Sequence, residues 1–262
     1  MAVTSTVVPG MLRYAEREAR VWSRLWRGSV FSGVVTPILF LGAMGLGLGG
    51  LVDENAGTVD GLAYLTFVTP GLLAASAAQN AAGAALWPVM GNMKWMRIYH
   101  AAVATPLRPS EVYLGYMAWQ SVYIGVHAVP FVVVAALLGG IPSAWGILAI
   151  PAAALCALAF CAPLAAFVAT QDSDASFPTI MRVLVLPLFL FSATFFPLDQ
   201  LPVGIRPIAW VSPLWHGVEL CRGATTGSIE PWAVLLHVGV LGAFTAVGAA
   251  WGSRTFTRRL TP

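Results

Sequence analysis

Long stretches of this sequence carry no charged side chain, and this feature limits the fold more than any other. No Asp, Glu, Lys or Arg occurs in the 33 residues from Gly61 to Met93, or anywhere between Val112 and Gln171. About 20 apolar residues of α-helix, at a rise of about 1.5 Å each, cross the hydrocarbon layer of a bilayer. Charged residues make up 10% of the chain, against about 25% in soluble proteins. The sequence therefore predicts an integral membrane protein made of helices.

Six apolar runs predict an all-α fold with six transmembrane helices, in a single domain that takes in residues 1–262. The Gly139–Pro142 segment divides one long run into a helical hairpin. The second span is longer than one crossing needs, so we expect it to tilt, to bend at Pro70 and to stop near Pro88. The predicted spans are 28–48, 61–88, 112–138, 144–169, 177–196 and 231–252.

The basic residues indicate how the helices are oriented. With this layout, 12 of the 14 Lys and Arg residues fall on one side of the membrane, and basic loops stay in the cytoplasm. An even number of spans places both termini on that side. The sequence therefore predicts a multi-pass protein of the cell membrane with both ends in the cytoplasm.

An amphipathic helix precedes the first span. Over residues 9–27, Leu12, Trp22 and Trp26 recur at helical spacing on one face, while five arginines occupy the other. Tryptophan suits the headgroup boundary and arginine suits anionic lipid, so the pattern predicts a helix that lies on the inner membrane surface. The alternative is a solvated arm without a specific role.

The segment 89–111 is a polar island between two apolar runs and holds Lys94, the single lysine of the chain. Cations are costly inside a bilayer, so this segment is predicted to lie in the cytoplasm. Its apolar and basic residues alternate as on a short amphipathic helix, which ends before the Thr105–Pro109 stretch. The island is therefore either a contact for a soluble partner or a plain basic loop.

Three polar side chains are predicted to lie within spans. Gln79 and Asn80 fall near the middle of the second span, and His127 lies in the third. Buried amides in membranes often form hydrogen bonds between helices, but they also line transport paths. An ionisable residue within a span is a functional candidate, although a neutral histidine bonded to a neighbouring helix is the alternative.

The segment 197–230 is apolar but broken by proline and by charges, so no complete span fits it. Short interfacial or re-entrant helices fit better, and backbone of that kind at membrane depth must be buried in protein or line a cavity. We expect this extracytoplasmic segment to form an outer lid. Its candidate residues are Asp199, Arg206, His216 and Glu219.

The sequence offers no catalytic constellation. Its single lysine does not stand in a G-x-x-x-x-G-K-[ST] phosphate loop, and no H-E-x-x-H or G-x-S-x-G motif occurs. Three cysteines match no metal-binding spacing, and the small net charge of +3 does not suggest nucleic acid. We therefore expect neither an enzyme nor a metal or cofactor in this chain. An ion-coupled carrier would need acidic residues within spans, and a passive membrane anchor is a further alternative.

Four segments resemble the permease subunits of ABC-2 type exporters. The closest likeness is to the branch that includes the nodulation lipo-oligosaccharide exporter and drug-resistance permeases, and it covers nearly the whole chain. The segments are 64–72 (YLTFVTPGL), 104–115 (ATPLRPSEVYLG), 195–202 (FFPLDQLP) and 213–223 (PLWHGVELCRG).

This resemblance implies a permease for an amphipathic or lipid-linked substrate, such as a glycolipid, or alternatively for a drug or antibiotic. It implies contact with membrane lipid, a second permease copy and two ABC ATPase subunits, which would hold the ATP and Mg²⁺. It also implies that Met93–Ala101 is a coupling helix, that the Gln171–Ser176 turn is a lesser ATPase contact, and that the first and fifth spans border the path. The coupling candidates are Met93, Lys94, Trp95, Arg97, Ile98, Tyr99, Asp172 and Asp174; the path candidates are Phe31, Phe40, Gln79, Asn80, Phe189 and Phe195.

Overall fold

The computed structural model describes residues 9–55, 57–204, 206–228 and 230–261, and it is built from helices throughout this part of the chain. In the same residues, β-pairing is limited to one isolated bridge between Val59 and Leu62. The α-helices are α1 (Gly10–Phe40), α2 (Gly49–Asn55), α3 (Tyr64–Met90), α4 (Ile98–Val103), α5 (Pro109–Leu137), α6 (Ala149–Val168), α7 (Phe177–Ile180), α8 (Leu186–Phe191), α9 (Arg206–Val211), α10 (Pro213–Thr226) and α11 (Pro231–Leu260). An all-α membrane protein is thus confirmed.

Helix α3 forms the centre of the bundle. It packs against α5, α6 and α10, and alanine is its commonest buried residue, as at Ala74, Ala78 and Ala85, which are fully buried. Small side chains let helix backbones approach closely in a membrane, where lipid gives no hydrophobic drive for association. Its small residues therefore adapt α3 to protein neighbours rather than to lipid.

Four described helical stretches are long and apolar enough to cross a membrane: Pro37–Asn55, Pro109–Leu137, Ala144–Val168 and Pro231–Leu260. Helix α3 has 27 residues, enough for about 40 Å. It does not reach the same hydropathy, because alanine, glycine and polar residues make up much of it. The apolar stretch Phe177–Phe191 is shorter. The count of six spans stays a prediction.

Helices α5, α6 and α11 meet closely around one tyrosine. The Tyr113 hydroxyl lies 2.9 Å from the Ala162 carbonyl oxygen and 3.0 Å from that of Gly248. A Cβ on Gly252 would lie 2.1 Å from the Tyr113 ring, and one on Gly248 would lie 2.6 Å from the Pro163 nitrogen. Both positions require glycine because the neighbouring atoms leave no room for a side chain.

Helix α1 combines two elements that were predicted separately, the amphipathic helix of residues 9–27 and the first part of the span 28–48. It runs through Arg27 and Gly28 without a break and continues as a π-helical turn, Leu41–Leu48, into α2. The predicted end of a separate helix at residue 27 is therefore wrong. Tyr14 packs on Gly115 and Trp22 on Trp119, so contact with α5 supports the part of α1 that precedes residue 27. Whether residues 9–27 lie on the membrane surface stays a prediction.

Two other predicted helix ends differ from the structure. Helix α3 runs through Pro70 and Pro88 and continues as a π turn, Gly91–Trp95. The fifth helical stretch ends at Phe191 rather than at residue 196. Ala193 has a left-handed backbone (φ 56°), and the buried Ser192 hydroxyl pairs with that of Ser212 at 2.9 Å, so this tertiary contact replaces the last helical turn.

Candidate functional site

The polar island of residues 89–111 forms two helical pieces rather than one helix. The π turn that ends α3 closes with a 2.8 Å hydrogen bond from the Met96 amide to the Gly91 carbonyl. Arg97 then adopts a left-handed backbone with φ 51°, and α4 begins at the next residue. The predicted continuous Met93–Ala101 helix is therefore wrong. We call Gly91–Val103 the inner connector.

Burial divides the predicted coupling residues into two groups. Met93 and Tyr99 are buried, and the Tyr99 ring lies 5.3 Å from that of Phe256 in α11 and 6.2 Å from that of Tyr14 in α1. Burial raises the pKa of the Tyr99 hydroxyl. Ile98 is half-buried. These residues hold the inner connector to the bundle.

The second group is exposed: Lys94, Trp95 and Arg97 lie together on the surface of the inner connector. An exposed tryptophan between two cations presents both an apolar surface and positive charge. Residues with this combination are enriched at protein interfaces. The geometry is suited to contact with a partner.

The Gln171–Ser176 turn lies beside the inner connector. The Lys94 ammonium donates to the Asp172 carbonyl oxygen, and Arg259 pairs with the Asp172 carboxylate at 2.7 Å. The hydrogen bond and charge of Arg259 lower the pKa of the Asp172 carboxyl, with a smaller effect from Lys94. Asp174 differs, since its carbonyl accepts from the Phe177 amide at the start of α7. The sequence alone did not indicate that Arg259 pairs with Asp172, because Arg259 is one of several basic residues that were used only to predict the orientation in the membrane.

The two amides that the sequence predicts within the second span lie on the less buried side of α3. Gln79 is half-buried and Asn80 is exposed, and neither makes a hydrogen bond within the part of the chain described. The alternative of a bond between helices is thus not seen for either. Asn80 lines a cavity of about 200 Å³ between α1, α3 and α5, which we call the central recess. His127 lines it as well, and its Nδ1 lies 2.7 Å from the Tyr123 carbonyl oxygen.

The predicted path phenylalanines lie on two different elements. Phe31 and Phe40 project from α1 and are exposed, Phe31 by 70%. Phe189 and Phe195 are half-buried and pack edge to face, 5.2 Å apart. Within the described chain the first pair therefore has an open apolar surface, whereas the second pair is packed against itself.

The predicted lid residues fall into two layers. Asp199 and Arg206 lie in an outer cover, formed by Leu198–Gln200 and α9, where Arg206 donates to the carbonyl oxygens of Leu201 and Asp199. His216 and Glu219 lie instead on α10, and His216 is only 4% exposed. His216 is therefore buried, because α10 is covered by α3, α6 and α11, and a role of His216 in an outer lid stays a prediction.

Polar side chains of α10 form hydrogen bonds with polar groups of neighbouring segments. The Nδ1 atoms of His216 and His237 lie 2.7 Å apart, and His216 Nε2 lies 2.9 Å from the Trp210 carbonyl oxygen. Arg222 pairs with Glu219 at 2.6 Å and donates to the Ala193 carbonyl at 2.7 Å. The outer polar cluster, as we name it, comprises Ser192, Ser212, His216, Glu219, Arg222 and His237.

Sequence reasoning missed Arg222 and His237 as members of this cluster. The spacing of Glu219 and Arg222, three residues apart on a helix, is a signal that could have indicated the ion pair. No local signal links His237 to His216, since they lie on different helices. The Arg222 guanidinium also lies 4.4 Å from the Phe67 ring centroid, a cation–π contact with α3.

No group of three or more His, Cys, Asp or Glu side chains in the described ranges could hold a metal ion. The three cysteines are free and buried. Among the described residues, the cavities and clusters above therefore offer hydrogen bonding, charge and apolar surface.

The chain is similar to known proteins over most of its length. The profile of the ABC-2 type transporter family matches residues 15–225. Nodulation protein J of Rhizobium leguminosarum bv. viciae is 30% identical over 93% of this chain and 92% of its own length. That of Rhizobium meliloti (strain 1021) is 28% identical over 94% and 92%, and that of Neorhizobium galegae is 27% identical over 98% of both.

Proposed function

This chain belongs to the ABC-2 type transporter family, and from that premise we propose that it is the permease subunit of an ATP-driven exporter. The cargo would be an amphipathic or lipid-linked molecule, taken from the cytoplasm or the inner leaflet. The observation that carries this proposal is the inner connector, whose exposed Lys94, Trp95 and Arg97 are held by buried neighbours. A partner that moved this surface would also move α3 and α11.

ATP hydrolysis would take place on a separate ATPase subunit, present in two copies, which would bind the ATP and Mg²⁺. A partner can do work on the permease only through contacts that differ between two states. The coupling candidates supply such contacts in two parts: the exposed Lys94, Trp95 and Arg97, and the neighbouring turn with Asp172 and Asp174. Met93, Ile98 and Tyr99 would transmit the movement to the bundle.

A second permease copy would complete the transport path. The open apolar face of α1, with Phe31 and Phe40, supports this arrangement, because large exposed apolar surfaces mark contacts with lipid or protein. Gln79 and Asn80 on α3, Phe189 on α8 and Phe195 just after α8 would also border the path. The outer cover with Asp199 and Arg206 would close the exit above α10.

The substrate proposed first is a glycolipid of the lipo-oligosaccharide class. Similarity to nodulation proteins over nearly the whole chain supports it. A hydrophobic drug or antibiotic is the second candidate, favoured by the exposed phenylalanines of α1. Transport assays in vesicles with each substrate class distinguish the two.

The proposed location is the cell membrane with both termini in the cytoplasm. The support is the distribution of the basic residues, of which 12 of 14 fall on the side of the termini in the six-span arrangement. Protease access to tags at each end, in right-side-out vesicles, tests this orientation. Cleavage of either tag would contradict it.

The inner connector gives the main test. In a complex with its ATPase, Arg97→Glu and Trp95→Ala are expected to abolish most substrate-stimulated ATP hydrolysis and transport, because both side chains lie on the proposed contact surface. The matched control is Arg258→Glu, which makes the same charge change at another exposed basic residue. If all three variants keep normal stimulation, the inner connector is not the coupling surface.

The outer cover gives a second test. Cysteines placed at Asp199 and at Val203 are expected to react with a water-soluble thiol reagent at rates that change when nucleotide binds the ATPase. The native cysteines are buried, so the labelling background is low. Equal rates with and without nucleotide would argue against a moving cover.

A further inference from the structure

One face of helix α1 is basic and largely exposed. It contains a surface cavity of about 280 Å³. The residues that line this cavity are Arg13, Glu16, Arg17, Arg20, Val21 and Arg24. The four arginines lie three or four residues apart, so their side chains leave the helix on the same side. The cavity, which we call the basic face, therefore combines four guanidinium groups with one carboxylate.

The acidic residues of α1 do not neutralise the basic face. The ion pairs on this helix are Arg17–Glu18 and Arg20–Glu16. In the second pair the arginine is 77% and the glutamate 59% exposed, and such exposed pairs contribute little, so another anion can replace the glutamate. Among the described residues, Arg13 and Arg24 have no acidic partner, and both are exposed. The basic face is therefore free to bind an anion.

The opposite face of α1 is packed on α5. Tyr14 is buried against Gly115. Two turns further along α1, the Trp22 ring lies 6.1 Å from that of Trp119. The contacts advance along both helices together, so α1 and α5 run in the same direction. Because α5 is long and apolar enough to cross a membrane, arginines beside its first half require an anion or the headgroup layer, since an unpaired charge in hydrocarbon is costly.

The basic face continues into an apolar surface. Arg17, Arg24, Phe31 and Ile38 follow one another at intervals of seven residues, which places them almost in a line along the helix. Phe31 is 70% and Ile38 is 49% exposed. The distance along the helix from Arg24 to Ile38 is about 21 Å, which exceeds half the thickness of the hydrocarbon layer. The basic end lies near the inner connector, where Tyr14 contacts Tyr99.

From this arrangement we infer that the open face of α1 binds one anionic phospholipid along its length. The phosphate oxygens would accept hydrogen bonds from the arginines, whose planar guanidinium groups match phosphate geometry. The acyl chain would lie over Phe31 and Ile38. A lipid of the inner leaflet has this direction, with its headgroup towards the cytoplasm. The inference goes beyond the proposed export, because it concerns a bound membrane lipid rather than the cargo.

Other occupants fit this face less well. A second copy of the chain, related by a two-fold axis through this face, would bring its own arginines against these, and like charges repel. Phe40 lies nine residues from Phe31, half a turn round the helix, and stays open to such a copy. An acidic peptide or free phosphate would use the arginines but not the apolar surface. Phosphatidylcholine would use the apolar surface but has no net negative charge.

Lipid binding to the purified full chain tests the inference. Native mass spectrometry in a non-ionic detergent counts the bound lipids while phosphatidylglycerol or phosphatidylcholine with identical acyl chains is added. We expect the first phosphatidylglycerol to bind more tightly than the first phosphatidylcholine. Arg13→Gln and Arg24→Gln should each weaken phosphatidylglycerol binding about fivefold, the effect of one arginine near an anionic lipid surface, and leave phosphatidylcholine binding unchanged.

Matched controls separate this site from general effects of charge and of apolar surface. Arg258→Gln removes the same charge from an exposed position on α11 and should leave phosphatidylglycerol binding unchanged. Ile38→Ala should weaken binding of the lipid, whereas Leu235→Ala should not, although it trims an exposed side chain of the same size on α11. Equal unfolding temperatures would show that the variants fold.

Equal affinity for the two lipids would overturn the assignment, as would equal losses in Arg24→Gln and Arg258→Gln. Equal losses in Ile38→Ala and Leu235→Ala would show that no acyl chain lies along α1. Displacement of the lipid by excess inorganic phosphate would show a plain anion site instead. Failure of the coupling test on the inner connector would leave this site in place, since lipid binding is measured without ATPase or transport.

Discussion

The inner connector and the outer polar cluster both contain polar groups, but the two regions differ in how far these groups are exposed to solvent. Lys94, Trp95 and Arg97 point to the surface, and the Arg259–Asp172 pair beside them is largely exposed. Arg222 in the outer cluster has only 13% of its side chain exposed and is paired with Glu219 and a backbone carbonyl. One region has its charged groups at the surface, and the other pairs Arg222 with groups inside the protein.

This difference indicates what each region contributes. A charge in water loses little when its partner is removed, because the solvent replaces the contact. A buried charge without its partner has no such replacement and destabilises the fold. The outer polar cluster should therefore matter for stability, and the inner connector mainly for partner contact. Substitutions in each of the two regions test this difference.

The largest expected effect is that of Arg222→Met. The change removes the donor to Glu219 and to the Ala193 carbonyl, so α10 loses its link to the turn after α8. We expect a loss of about 3 kcal/mol in the free energy of unfolding, in line with buried ion pairs that lose one partner. Thermal unfolding of the purified protein in detergent measures it.

Arg206→Met provides the matched control within the same region. Among the described residues, Arg206 bonds only to two nearby carbonyl oxygens, those of Leu201 and Asp199. Its loss should cost about 1 kcal/mol or less. If the two arginine variants lost similar free energy of unfolding, burial would not explain a difference between Arg222 in the outer polar cluster and Arg206 in the outer cover.

The histidine pair should give the next largest effect. His216→Phe or His237→Phe leaves the other ring nitrogen without its partner in a buried site, at a cost of about 1–3 kcal/mol. The double variant should cost less than the sum of the two, because it removes both members of the contact. Unfolding of all four proteins completes the cycle, and strictly additive losses would refute the coupling of the two rings.

The smallest expected effect is that of Asp172→Asn at the inner surface. Arg259 lowers the pKa of Asp172 in the folded protein, so the contribution of this pair to stability is present above the ordinary pKa near 3.8. It is lost as the pH falls through the lowered value. At pH 7, the variant should therefore have a slightly lower unfolding temperature than the unaltered protein. In strong acid, the two unfolding temperatures should be equal. If the difference between the two unfolding temperatures became larger as the pH was lowered, this prediction would be contradicted.

Much of the architecture followed from the sequence because it depends on solvent preference. The uncharged runs predicted helices in a membrane, and the Gly139–Pro142 break predicted the turn between α5 and the short Ala144–Leu148 helix before α6. The exposed position of Lys94 and Arg97 also followed, since charge is costly to bury. Helix ends were less predictable: α3 passes Pro88 and α1 passes Gly28, because contacts with neighbouring helices outweigh a single breaking residue.

The sequence by itself determined that this chain is a helical membrane protein of the ABC-2 type, with a charged segment between two apolar runs. Only the tertiary structure decided that His216 is buried against His237, that Arg222 joins α10 to Ala193, and that Asn80 and His127 share one recess. Hydropathy is a property of each residue and its near neighbours, so the sequence can be read for it directly. Pairing between polar groups on different helices depends on the rotation and height of each helix, which close packing of the whole bundle sets.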